Sequence, residues 1–365
     1  WPTILSNMAF MLTGLVFLKI AGGMGLDEVA AVTTGQRLFF ILFAVMMGLS
    51  SGTTALVGRY WGAGDKQLVG RIAALSVIIF LVDGIILCWV SIPFLDPLVG
   101  IFNLTPNAHA LAVEFIFYTV LYAPPMLIVL VFSMAFRATG DSTTPLWAAI
   151  IGAVLGVYLG VVITYGWHGA APRGLSGLAI GNGIASIITV VIFLLLWICG
   201  RLSFKPANPL KGFLTNGRDL VKIGTPAAFE QMFFQAGLLV FLVFLASYGN
   251  AAFATYGIGL SILGLMIVIA FSFSISSATL VSQYLGAGDP QGAYNAGWRT
   301  MRTCLYIMLS GSVVMCSFAH DIAKFMIDDP EVIRHMVQFT YILGACLPLM
   351  AVEFSMAGAL RGAGD

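Results

Sequence analysis

The sequence repeats itself at an offset of 224 residues. Pro2 recurs as Pro226, the Gly62-Ala63-Gly64-Asp65 run recurs as Gly286-Ala287-Gly288-Asp289, Pro124 recurs as Pro348, and Arg137, Gly140 and Asp141 recur as Arg361, Gly364 and Asp365. Two copies of one long pattern imply one ancestral bundle used twice. In an apolar chain that means two packed lobes with a path between them.

With 59% apolar and 9% charged residues, the chain would expose too much hydrocarbon in water, so its solvent is a bilayer. The formal net charge of +1 carries no signal for nucleic acid. The distribution of charge says more. Cations gather in alternate loops, at Arg59, Lys66 and Arg71, then Arg137, then Arg201 through Lys222, then Arg299 and Arg302, then Arg361. The positive-inside rule makes those loops cytoplasmic. The intervening loops carry acids, namely Asp27, Glu28, Asp96, Glu114 and the run Asp321 to Glu331, and are expected to face outward. The five cysteines lie within apolar segments at spacings that suggest no metal site or disulfide, and they read as small packing residues.

About twenty apolar residues cross a bilayer core, and ten such windows can be marked, near 1–20, 32–58, 72–95, 113–136, 145–167, 176–199, 222–246, 253–282, 298–320 and 334–359. Six spans return a chain to the side on which it began, so the second half repeats the first in the same orientation. The expected fold is all-α and integral to the membrane, with two parallel-repeat lobes of six helices each and about ten helices present. Residues 1–200 form the first lobe, 201–221 a cytoplasmic linker and 222–365 the second lobe. Residues 142–224 have no counterpart after Asp365, and the chain opens on Trp1. The expectation is a start inside the first span and two further spans beyond the end. Pro124, Pro125 and Pro348 interrupt equivalent helices, as packing kinks or as hinges.

The paired Gly-Ala-Gly-Asp runs lack the Gly-Lys-Ser/Thr ending of a nucleotide loop. They read as turns in which Gly62, Gly64, Gly286 and Gly288 end a helix and Asp65 or Asp289 caps the next. Arg137 with Asp141, and Arg361 with Asp365, read likewise as inner-gate elements at helix ends. Three features together are specific: Pro226 through Glu230-Gln231, the small-residue runs Leu49 to Val57 and Ile275 to Val281 leading into Gly-Ala-Gly-Asp, and the run Gly358 to Asp365. The chain resembles the multidrug and toxic compound extrusion (MATE) family over nearly its whole length. The resemblance implies a twelve-helix, two-lobed antiporter that expels organic compounds in exchange for protons or sodium ions, without a cofactor. It departs from the family where Phe17 replaces an aspartate of the first span, and where Gly152 to Gly160 lacks the asparagine and aspartate of the fifth. Coupling is therefore expected in the second lobe.

An ionisable residue at a span centre costs roughly 2.5–3.5 kcal/mol on insertion scales. Glu230 lies eight residues after Lys222 and Glu353 eight before Arg361, which puts both about 12 Å from the cytoplasmic side. Brought together they would share a proton, because like charges at short range resist ionising together. They could also hold a sodium ion with Gln231 or Ser355. Hydrogen bonding within the bundle is the plainer alternative. Asp83, near the middle of the third span, is a further coupling candidate. Asn7, Asn182, Gln231 and Gln235 could line the path or tie helices together. Lys19 and Arg37 either snorkel to the outer interface or attract an anionic group. The expectation is a monomeric cation-coupled exporter of a bacterial inner membrane, with both termini cytoplasmic and membrane lipid and small organic molecules as partners. A flippase for lipid-linked precursors is the alternative. Neither histidines nor cysteines converge on an enzyme's nucleophile and base.

Overall fold

A computed structural model describes residues 1–169, 171–200, 203–209, 211–246, 250–326 and 330–364. Among the described residues the regular structure is helical, without strands. The first half comprises α1 (Pro2–Gly22), α2 (Leu26–Gly62), α3 (Lys66–Ser91), the short α4 (Leu95–Gly100), α5 (Pro106–Leu121), α6 (Ala123–Ala138), α7 (Thr143–Tyr165) and α8 (Ser176–Ile198). The second half comprises α9 (Phe213–Ala246), α10 (Asn250–Gly286), α11 (Pro290–Ser317), the short α12 (Ala319–Met326) and α13 (Pro330–Ala363). Among the described residues seven helical segments are long and apolar enough to cross a membrane, or eight if α5 and α6 form one span broken by 51°. At 1.5 Å per residue the 37-residue α2 and α10 reach about 55 Å, so both outrun the hydrocarbon core.

Lipid tails are as apolar as leucine, so cohesion here comes from close packing and internal hydrogen bonds rather than from escape from water. One core of the first half is an aromatic stack in which Phe132 lies 5.5 Å from Phe193 and 5.4 Å from Trp197. A second cluster gathers Phe17, Phe115, Ile116 and Leu178. The second half has its own cluster around Cys304, Met308, Leu347 and Ala351. Phe17 is 5% exposed and belongs to the second cluster of the first half.

The segment between the halves is no loose tether. Phe204 is buried 5.7 Å from Phe136, and Leu220 is buried in the same cluster. Helix α9 starts at Phe213, after Gly212 in the left-handed region at φ 74°, well inside the stretch 201–221 read as linker. Lys211, Arg218 and Asp219 kept that stretch out of an apolar window, but polarity outside a bilayer does not stop a helix.

The proline sites differ between the copies. Pro124 and Pro125 follow a break at Tyr122, whereas α13 runs through Pro348 unbroken. Each proline leaves the carbonyl four residues earlier without its N–H partner. In both copies a side chain from a neighbouring helix fills the gap. The Cys88 thiol of α3 donates to the Val120 carbonyl at 2.9 Å, and the Ser312 hydroxyl of α11 donates to the Gly344 carbonyl at 2.7 Å. Cys88 and Ser312 are themselves repeat equivalents, as are Val120 and Gly344. One missing donor with a good substitute leaves a continuous helix. Two adjacent prolines with a weak thiol donor leave a bend.

Candidate coupling site and interlobe path

Glu230 on α9 and Arg361 on α13 form an ion pair through both guanidinium nitrogens that face it, Nε donating to Oε2 at 3.2 Å and Nη2 to Oε1. Arg361 also reaches Ser274 Oγ of α10 at 3.5 Å. Glu353, two helical turns before Arg361, lies within electrostatic range of both Glu230 and Arg361. Glu230 and Arg361 are the contacting pair, with Glu353 as a second carboxylate nearby. The Glu230 side chain is 48% exposed and that of Arg361 18%. Arg361 also borders a cavity of about 40 Å³ shared with Ser50, Ser51 and Thr54 of α2 and Ser274 of α10. That is room for one or two waters between the halves.

The other polar residues are dispersed. Asp83 sits on α3 with Oδ2 buried and no hydrogen bond to it among the described residues, beside Gly84, which packs against Pro124. Nothing brings it to the pair of Glu230 and Arg361. Asn7 donates to Ser272 Oγ of α10 at 3.0 Å, a bond between the halves. Asn182 of α8 rests against Gly156 of α7, inside the first lobe. Gln231 is half-buried and Gln235 buried on α9. Ser355 is fully buried while Glu353 is exposed; two residues apart on a helix, they point to opposite sides, so Ser355 cannot share an ion with Glu353. Arg37 is half-buried on α2, within electrostatic range of Tyr256 on α10. Lys19 is exposed.

At the helix ends the two Gly-Ala-Gly-Asp runs divide labour between their glycines. Gly64 and Gly288 are left-handed at φ 78° and 75°, and Asp65 and Asp289 accept from the Leu68 and Gly292 amides at 2.9 and 2.7 Å. Gly62 and Gly286 are instead the last helical residues of α2 and α10, and they are bare because the opposite helix's backbone lies against each. Asp141 accepts from the Thr143 and Thr144 amides at 3.1 and 3.0 Å, following Gly140 at φ 90°. Arg137 is 7% exposed and its Nε has no hydrogen-bond partner among the described residues. Asp365 lies outside the described residues. Among those residues no group of three or more His, Cys, Asp or Glu could hold a metal ion.

Reading motifs one at a time missed the role of Arg361 as partner of Glu230. The signal available was the eight-residue step from Glu353 to Arg361, which keeps both on one side of the helix.

The MatE family model matches residues 2–162 and again 226–365, two matches whose starts are 224 residues apart. The chain belongs to the MatE family. It is therefore a membrane transporter and not an enzyme. Among MatE relatives it is 27% identical to a probable multidrug resistance protein NorM from Thermotoga maritima, over all of this chain and 78% of that protein. It is 22% identical to a Shewanella oneidensis FAD transporter, over 98% of this chain and 79% of that one. The MatE fold is confirmed by the Vibrio cholerae MATE transporter VcmN in its bent form, which superposes with a TM-score of 0.90 at 20% identity, covering all of this chain and 82% of that one.

Proposed function

We propose that the protein is a cation-coupled exporter of organic, drug-like compounds, working by alternating access between two lobes, residues 1–200 and 222–365. The relatives named for multidrug resistance support the substrate class, and the relative named for FAD widens it. The ion pair of Glu230 with Arg361, with Glu353 in range, carries the coupling assignment. Arg361 is an internal cation on the carboxylate that the coupling ion needs. A proton or sodium ion arriving at Glu230 and Glu353 competes with that guanidinium, and release of Arg361 from α9 loosens the contact of α13 and α10 at the inner cavity. Substrate and ion then favour different states, as antiport requires; each must discriminate between them by a few kcal/mol. The setting is a bacterial inner membrane, the working unit a monomer with cytoplasmic termini, and the coupling ion a proton or sodium without a cofactor.

The experiment is transport in reconstituted vesicles under an imposed proton or sodium gradient. Glu230→Gln with Glu353→Gln abolishes gradient-driven flux while leaving downhill substrate exchange. Gradient-driven flux that survives the double substitution removes the site. A second reading, a flippase for lipid-linked precursors, draws on Arg37: no hydrogen bond or ion pair to it occurs among the described residues, and it faces the opposite half at Tyr256. Arg37→Gln separates the two, since it lowers flux of an anionic lipid-linked substrate and leaves that of a cationic drug unchanged.

A further inference from the structure

A tight crossing of the two halves lies at the carboxyl-terminal ends of α2 and α10, and it is built in matched pairs. A methyl group on Gly62 would run into the Gln283 carbonyl, and one on Gly286 into the Arg59 carbonyl. Gly62 and Gly286 are repeat equivalents, and so are Arg59 and Gln283. At the same crossing each half sends a side chain to a helix end of the other. Arg59 Nη2 donates to the Ala363 carbonyl at the end of α13, and Gln283 Nε2 to the Ala138 carbonyl at the end of α6, both at 2.8 Å. Carbonyls in a last turn have no helical N–H partner, and no backbone N–H reaches either of these among the described residues. The two side chains thus supply what each helix end lacks, across the boundary between the lobes.

We propose that Arg59 and Gln283 are a paired latch of the cytoplasmic gate, positioning residues that hold the inner side shut and release together when it opens. This rests on the alternating-access reading. Three features make the contact a latch and not a fixed joint. Both side chains are half-buried, so water can take over their hydrogen bonds on opening. Gly62 and Gly286 meet backbone to backbone, with no side chains to interlock. The inner cavity lined by Ser51 lies between the same two halves, so the latch closes a space and not a solid core.

The test is chemical access to that cavity. Ser51→Cys, in a chain stripped of its five native cysteines, is exposed in sealed inside-out vesicles to a membrane-impermeant maleimide on the cytoplasmic face. The parent labels slowly. Arg59→Met speeds labelling roughly tenfold and Gln283→Met roughly fivefold, as loss of a charged and a neutral hydrogen bond would. The exchange of Arg59→Gln with Gln283→Arg keeps a donor at each position and labels at the parental rate. Parental labelling in a folded methionine variant overturns the proposal, and so does an exchange variant that labels as fast as the methionine variants. Either methionine variant that elutes as a folded protein decides the matter. Labelling needs no substrate or ion gradient, so loss of the Glu230 and Glu353 assignment would leave this result standing.

Discussion

Glu230 occupies a position that a bilayer tolerates poorly, and its surroundings show how the cost is met. About half of its side chain is exposed, and it lies against Arg361. If Arg361 is the internal competitor of the coupling ion, Arg361→Met raises the apparent affinity for that ion roughly tenfold, the size of one charged hydrogen bond. Ion titrations of transport by the variant check this, and an affinity unchanged or lowered would refute it. The capping aspartates belong to the same scale. Asp65→Ala and Asp289→Ala should each lower stability by about 1 kcal/mol, with asparagine at either place nearly neutral; thermal unfolding in detergent measures both. The nearness of Glu353 to Glu230 was foreshadowed by their equal steps of eight residues from Arg361 and Lys222, because rise per residue is constant along a helix. Which side of each helix faces which neighbour was not, and that is why Ser355 was drawn into a site on which it turns its back.

Among the elements, the proline-broken spans are the most informative. Their positions follow from sequence, since Pro124 and Pro348 stand in equivalent windows. That only the first copy breaks depends on its second proline, Pro125 where the other copy has Leu349, and on a neighbour: α3 offers a thiol where α11 offers a hydroxyl. Ser312→Ala should cost about 1 kcal/mol, and Cys88→Ala less, because a thiol is the poorer donor. Cys88→Ser should be neutral or stabilising. Thermal unfolding of the three variants tests the order, and Cys88→Ser behaving like Cys88→Ala would show that packing, not donation, matters there. Such cross-helix repair is invisible to a window of hydropathy. The doubled register made it findable, because position 88 maps onto 312 as 120 maps onto 344.

For the molecule as a whole, the segment joining the halves is anchored to the first, through Phe204 and Leu220 in its aromatic core. Phe204→Ala should therefore cost about 3–5 kcal/mol, the range for emptying a buried aromatic site, where an unattached linker would lose almost nothing. A thermal shift against the parent decides between them. Sequence by itself determined the helical membrane fold, the duplication and the glycine-aspartate turns, because apolar length, a repeated register and turn residues are local properties of the chain. Tertiary structure alone decided that Arg361 holds Glu230, that Cys88 and Ser312 mend proline gaps, and that Arg59 and Gln283 reach across to the other half's helix ends. Those partners lie far apart along the chain, and rotation of each helix about its own axis, which sets who meets whom, is fixed only when the helices pack.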